Sequence, residues 1–210
     1  MSIILKDFSF AYSDQDIFEH VSIEFSSKAI ILLYGENGSG KTTFCRLIMG
    51  LQKGIRGSLL FNNLDLAESN TDDIAKKITY LKQNAELNIL AATPQADLDI
   101  WYGKFESRIQ AKKSSDVFNW FGLENIKDQP VWELSGGQLQ RLALSSLLLN
   151  QSKYWLLDEP VAGLDHTQIN KLLELLEIHR KQNGTLIISH RYPVFADIAD
   201  QIYSIKKLFY

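Results

Sequence analysis

Eight residues, Gly35-Glu36-Asn37-Gly38-Ser39-Gly40-Lys41-Thr42, leave this chain few folds to adopt, because G-x-x-x-x-G-K-[ST] needs a strand before it and a helix after it. Both are written in the flanks. Ala29-Ile30-Ile31-Leu32-Leu33-Tyr34 is apolar without alternation, the pattern of a strand covered on both faces in a parallel sheet. Thr43-Phe44-Cys45-Arg46-Leu47-Ile48-Met49 reads as a helix stopped by Gly50. This order aims several backbone N–H groups and the positive end of a helix at one anion. The glycines let the backbone bend around a phosphate, Lys41 can reach the β- and γ-phosphates, and the Thr42 hydroxyl can ligate Mg²⁺. A glycine turn with a chance lysine is the bland alternative, and the flanking strand and helix weigh against it.

With 210 residues and 45% hydrophobic content the chain can bury a sizeable core. Its net charge is −3 and it has no basic run that would track a nucleic-acid backbone, so no nucleic-acid partner is expected. The start, Met1-Ser2-Ile3-Ile4-Leu5-Lys6-Asp7, lacks the pattern of a signal peptide, and no apolar run is long enough to span a bilayer. A cytoplasmic location is expected. The one cysteine, Cys45, falls in the helix after the glycine loop and reads as a small core residue.

Ile3 to Phe10 and Val21 to Phe25 alternate apolar and polar residues, which predicts two antiparallel strands. Tyr12 falls in the intervening turn, Ala11 to Asp16, where it is either a surface aromatic or a ring that stacks on a base. Gly57 to Phe61 predicts a strand turning at Asn62-Asn63, and Ile78 to Leu81 another, ending at Lys82-Gln83-Asn84. From Ala85 to about Asn150 the periodicity becomes helical, over Pro94 to Phe105, Ser115 to Phe121 and again after Gly136. This predicts an inserted helical subdomain at about 84–150. Trp101, Trp120, Trp132 and Trp155 in or near it are expected to pack in the core.

The second half returns to strands. Tyr154 to Leu157 delivers Asp158 and Glu159 at its C-terminal end, which is where open α/β sheets bind ligands. Asp158 is then placed to hold Mg²⁺ directly or through water, and Glu159 to polarise the water that attacks the γ-phosphate. Thr185 to Ser189 is a further buried strand ending in His190, either a phosphate contact or a structural histidine. His20, His166 and His179 read as ordinary turn or helix residues. A last strand is expected over Gln201 to Ile205. The fold class is therefore α/β, a phosphate-loop core with an antiparallel β subdomain and a helical insertion.

Leu134-Ser135-Gly136-Gly137-Gln138-Leu139-Gln140-Arg141 adds a second anion site, with Ser135 as helix cap, exposed glycine N–H groups and a helix from Gln138 onward. With this segment the whole chain resembles the ATP-binding subunit of an ABC transporter, whose signature is LSGGQ and whose core is RecA-like. The resemblance implies one ATPase domain over residues 1–210. It implies that residues 35 to 43, including Thr43, bind ATP with Mg²⁺, and that Tyr12 stacks on adenine. It implies that Gln83 senses the metal and the attacking water. Asp158 resembles the metal-associated aspartate, Glu159 the catalytic glutamate and His190 the switch histidine. Ser135, Gly136, Gly137 and Gln138 would close over the ATP of an opposite subunit. Ala162-Gly163-Leu164-Asp165 is similar to the loop that contacts that subunit, usually Ser-Ala-Leu-Asp.

The segment Gln83 to Thr93 is similar to the one in energy-coupling-factor and cobalt-type ATPases, although Asn88 stands where a second glutamine is often found and Ala85 where proline is. In the family such a chain dimerises, with itself or with a related subunit. It also sits on the cytoplasmic face of the membrane against integral transport subunits. Leu87, Ile89 and Leu90 fit a groove for a partner helix and fit core burial equally well. The cargo implied by the narrower resemblance is a vitamin or a transition-metal ion. A soluble ABC ATPase of DNA repair or translation is the alternative, and it usually has a long coiled-coil insertion or two ATPase domains. A nucleotide-gated scaffold that does not turn over is a further one, against which Glu159 and His190 argue.

Overall fold

Ile3, Leu5, Phe8 and Phe10 turn one face of a ten-residue strand into the core, and between Leu5 and Phe8 the alternation slips by one residue. The cause is a bulge at Asp7, where φ is +47°. This structure, a computed structural model, describes all residues except 1, 14, 27, 106–113, 150–151, 182, 191 and 207–210. The turn residue Asp14, the subdomain end at Asn150 and Tyr210 therefore lie outside the described residues.

The described chain forms two compact units. The first comprises Met1–Tyr80, Ser152–Glu159 and Leu176–Tyr210. Its antiparallel sheet has the order β2-β1-β4-β5, from β1 (Ile3–Tyr12), β2 (Gln15–Phe25), β4 (Arg56–Phe61) and β5 (Leu64–Asp65). β1 and β2 run further than the alternation predicts, because bulges at Asp7 and at His20 (φ +49°) break the period without ending the strands. Tyr12 accordingly pairs with Gln15 at the end of β1 rather than lying in a loop. A second, five-stranded sheet has the order β6-β7-β8-β3-β9, from β3 (Ile30–Tyr34), β6 (Ile78–Leu81), β7 (Tyr154–Asp158), β8 (Gly184–Ser189) and β9 (Gln201–Ser204). β9 ends one residue before the expected Ile205, which is buried instead.

Helix α1 (Lys41–Ile48) follows the glycine loop, and Phe44 is its anchor. The Phe44 ring meets Phe8, Phe18 and Phe25 of the antiparallel sheet at centroid distances of 6.2, 5.9 and 6.3 Å, in edge-to-face contacts. Cys45 beside it is fully buried. The unit also holds the short α2 (Thr71–Ala75), capped by the Asn70 side chain.

The second unit comprises Leu81–Gln151 and Pro160–Leu175. It contains α3 (Pro94–Phe105), α4 (Ser114–Phe121) and α5 (Gly136–Leu149). α5 starts two residues earlier than the sequence suggests and packs its Leu139, Leu142, Ala143 and Leu147 inward, against α3, α4 and the turn after Gln83. α6 (His166–Arg180) begins here, and α7 (Tyr192–Phe195) lies in the first unit. The tryptophans do not behave alike. Trp155 is buried in β7, outside the helical region, whereas Trp132 is 74% exposed, which overturns its expected place in a core. Trp132 sits in a single 3-10 turn, Val131–Glu133, too short to have a buried face.

Trp155 stacks on His179 with centroids 3.5 Å apart and planes 12° from parallel. Burial lowers the His179 pKa to about 4, against an ordinary 6.5, while a backbone bond with Gly184 opposes the shift. A histidine harder to protonate folded than unfolded stabilises the protein above the unfolded value, and that contribution is lost as pH falls from 6.5 towards 4. Between pH 7 and 5 the loss amounts to about 2 kcal/mol. His179→Phe keeps a ring on Trp155, so thermal unfolding at the two pH values should show a smaller acid-side drop for the variant than for the parent.

Candidate functional site

Parallel pairing brings three strand ends level. Tyr34 of β3 lies opposite Ser189 of β8, and Asp158 of β7 opposite Ile188. The glycine loop, the pair Asp158-Glu159 and the pair Ser189-His190 thus leave one sheet edge together. Gly35 N–H donates to Ser189 O at 3.3 Å, and Glu159 N–H to Ile188 O at 2.8 Å. Gly40 closes the loop at φ +89°, and a Cβ there would come within 3.0–3.1 Å of Ile17 and Phe18, so a side chain is excluded twice over.

Lys41 is 7% exposed, and its ammonium donates to the loop's own carbonyls, Gly35 O at 2.9 Å and Glu36 O at 2.7 Å. It also lies 3.7 Å from Glu159 Oε1. The Thr42 hydroxyl donates to Asp158 Oδ2 at 2.9 Å, and the Tyr80 hydroxyl approaches the same oxygen at 3.4 Å. Burial raises the Asp158 carboxyl above its ordinary range and the nearby Glu159 charge adds to this, while the Thr42 bond and Lys41 oppose it. Asp158 Oδ1 is buried without a hydrogen-bond partner, and so is Ser39 Oγ.

An orphaned carboxylate oxygen beside a threonine hydroxyl suits a hard divalent cation. No group of three His, Cys, Asp or Glu among the described residues forms a metal cage. A two-residue oxygen set leaves the remaining positions of Mg²⁺ for phosphate oxygens and water, which is that ion's usual manner of binding. The residues present therefore fit the ion.

Glu159 has φ +52°, a strained value for a non-glycine residue, and is 3% exposed. Its Oε1 accepts His190 N–H at 2.9 Å. Its Oε2 accepts the Ser189 hydroxyl at 3.0 Å and lies 2.9 Å from His190 Nδ1.

The other expected residues lie as follows. Asn37 and Gly38 are exposed at the loop tip and Thr43 is half-buried. Tyr12 is 38% exposed and meets Phe10 edge-on at 4.9 Å. Gln83 and the signature residues belong to the second unit. There Gln83 is exposed, just after β6, in a segment clipped by Asn88. Asn88 accepts from Lys82 N–H at 2.9 Å and donates to Lys82 O at 3.0 Å and Asn84 O at 3.2 Å. The asparagine that departs from the family pattern thus holds the segment's shape.

Ser135 and Gln138 form a reciprocal cap on α5: Ser135 Oγ accepts from Gln138 N–H at 3.3 Å, and Gln138 Oε1 from Ser135 N–H at 2.7 Å. Gly137 approaches Gly163 so closely that a Cβ on Gly137 would sit 2.7 Å from Gly163 O. Gly163 itself has φ +73°, which explains glycine where alanine is usual. Asp165 caps α6, accepting from Gln168 N–H at 2.9 Å.

Three residues in these networks were not singled out from the sequence: Tyr80, Gln140 and Ser189. Gln140 is 2% exposed, and its amide donates to Pro160 O at 2.9 Å, tying α5 to the residue that follows Glu159. Its signal was a polar residue on the apolar face of α5.

A family model described as ABC transporter matches residues 18–162. The energy-coupling factor transporter ATP-binding protein EcfA1 of Thermotoga maritima is 31% identical over 203 residues, covering 94% of this chain and 76% of that protein. Among solved structures, CbiO1 from Clostridium perfringens, described as part of the ABC transporter complex cbiONQ, superposes with a TM-score of 0.76 at 23% identity. That match covers 96% of this chain and 83% of the other. The ATP-binding cassette MJ0796, a dimer in a post-hydrolysis state bound to ADP and Pi, gives 0.81 at 21% identity, over 96% and 93%.

Gln140→Leu keeps the volume and removes the donor, leaving Pro160 O buried and unpaired. Urea denaturation should show a loss of about 1–3 kcal/mol relative to the parent.

Proposed function

The chain belongs to the ABC transporter family as one of its ATP-binding subunits, an ATPase, and from that premise we propose that it energises import of a small solute by closing as a dimer over ATP. The observation that carries the catalytic part of this reading is the meeting of Lys41, Thr42, Asp158 and Glu159 at one sheet edge. Lys41 exchanges its two loop carbonyls for the β- and γ-phosphates. The loop N–H groups from Glu36 to Thr43 and the buried Ser39 hydroxyl line the polyphosphate. Tyr12 stacks on the adenine.

Thr42 and Asp158 would hold Mg²⁺, which would offset the negative charge that develops on the phosphate during transfer. Its positive charge also answers the burial of the Asp158 carboxyl. Glu159 orients and polarises the attacking water, and His190 turns towards the γ-phosphate. Gln83 keeps the sensing role implied by the family resemblance.

Ser135, Gly136, Gly137 and Gln138 serve the nucleotide of an opposite subunit, and Asp165 with its loop contacts that subunit. Their exposed backbone in the single chain supports this reading, since Ser135 and Gly136 face solvent. ATP binds the closed dimer better than the open pair and so shifts the population towards closure, and hydrolysis removes the difference. The opposite subunit is a second copy or a related ATPase.

No helix among the described residues is long and apolar enough to cross a membrane. The likeness to transporter ATP-binding proteins supports delivery of the motion to integral membrane subunits from their cytoplasmic side. Leu87 and Leu90 are 60% and 51% exposed, which favours the partner groove over core burial for this segment. Trp132 is also exposed, in a turn tied near the end of this segment by Val131 N–H, which donates to Ala92 O at 2.8 Å. The likeness to EcfA1 supports the energy-coupling-factor branch, and the resemblance to that branch implies a vitamin or a transition-metal ion as cargo.

Lys41→Ala should abolish ATP affinity, whereas Glu159→Gln should keep binding, lower hydrolysis at least about 100-fold and accumulate an ATP-bound dimer in size-exclusion chromatography. A Glu159→Gln chain that stayed monomeric with ATP, or that hydrolysed it at the parental rate, would overturn the assignment. Leu87→Glu should spare ATPase activity in the isolated subunit and reduce transport, with fewer membrane subunits copurifying. Unchanged transport by that variant would remove the docking assignment.

A further inference from the structure

We propose that Ser189 is a positioning residue for ATP hydrolysis, fixing which carboxylate oxygen Glu159 presents to the phosphate loop. The proposal rests on the reading of Glu159 as the water-activating group.

Ser189 is 0% exposed, the last residue of the buried strand Gly184–Ser189. A hydroxyl in such a place costs stability unless it is bonded, and alanine would fill the same volume without that requirement. It donates to Glu159 Oε2 at 3.0 Å. Glu159 itself starts from a strained backbone and carries three side-chain torsions, so nothing in its own conformation fixes the carboxylate. The fixing comes from β8. Ile188 O holds the Glu159 backbone N–H, His190 N–H holds Oε1, and Ser189 and the His190 ring hold Oε2.

The two oxygens are not equivalent. Oε1 is the one 3.7 Å from Lys41 and therefore faces the phosphate loop, while Oε2 is turned back to β8. Among the described residues two side chains hold Oε2, and they differ in freedom. The His190 side chain is 45% exposed and can leave for a ligand, whereas the Ser189 hydroxyl is locked in the sheet. Once His190 turns to the γ-phosphate, Ser189 is the side chain that keeps Oε2 in place and Oε1 aimed. A carboxylate free to rotate would lose the alignment on which water activation depends.

The test is steady-state ATP hydrolysis by the full chain, using Ser189→Ala, Ser189→Thr, Glu159→Gln and the Ser189→Ala/Glu159→Gln double variant. Ser189→Ala should lower kcat about 10-fold, with the KM for ATP and the melting temperature nearly unchanged, and Ser189→Thr should restore at least half of the parental kcat. In the Glu159→Gln background, Ser189→Ala should change the residual rate less than about twofold, because the group it positions is already gone. Parental kcat in Ser189→Ala beside an inactive Glu159→Gln overturns the proposal and leaves the Glu159 reading intact. So does a 10-fold loss that persists in the Glu159→Gln background, or a parallel loss of ATP affinity and stability. Parental activity in Glu159→Gln overturns the reading beneath it.

Discussion

Register in the parallel sheet is the constraint on which everything at the site depends. β3, β7 and β8 are short, five or six residues each, and their side chains are almost wholly buried. A slip of one residue between β7 and β8 would reverse the faces of Trp155 and Leu156 and pull Asp158 away from Ile188. The same slip would part Glu159 from Ser189 and His190. Two apolar faces thus enforce a placement of carboxylates that the carboxylates themselves, as buried charges, would resist.

The antiparallel sheet contributes through a different contact. Phe44 is fixed by three rings of β1 and β2, and it sits three residues after Lys41 on the same helix. The orientation of α1 is therefore set by aromatic packing on one side and by the level strand ends on the other. Bulges at Asp7 and His20 leave that packing intact, because Phe8, Phe10 and Phe18 remain fully buried on either side of them.

What could be read from the chain beforehand was mostly what local pattern encodes. The strand before Gly35, the helix after it, Pro94 to Phe105 and the strand ending at Asp158 each express a period or an uninterrupted apolar run, and each lies where it was expected. The full lengths of β1 and β2 were hidden, since a bulge destroys alternation without ending pairing. Trp132 was misjudged because composition does not say which side of a single turn faces solvent. Tyr80, Gln140 and Ser189 escaped for a deeper reason. Their partners, Asp158, Pro160 and Glu159, are 78, 20 and 30 residues away in sequence, and only the assembled sheet and helix bring them within bonding distance.

The buried ammonium of Lys41 is already satisfied by two carbonyls of its own loop and faced by a carboxylate. A lysine left bare at that depth would make the fold lean on its ligand, and the subunit would open and be degraded whenever nucleotide ran low. Here the loop carries its own counterweights. The Lys41 ammonium thus needs no bound phosphate to be satisfied in the fold, and an arriving nucleotide must displace contacts already made.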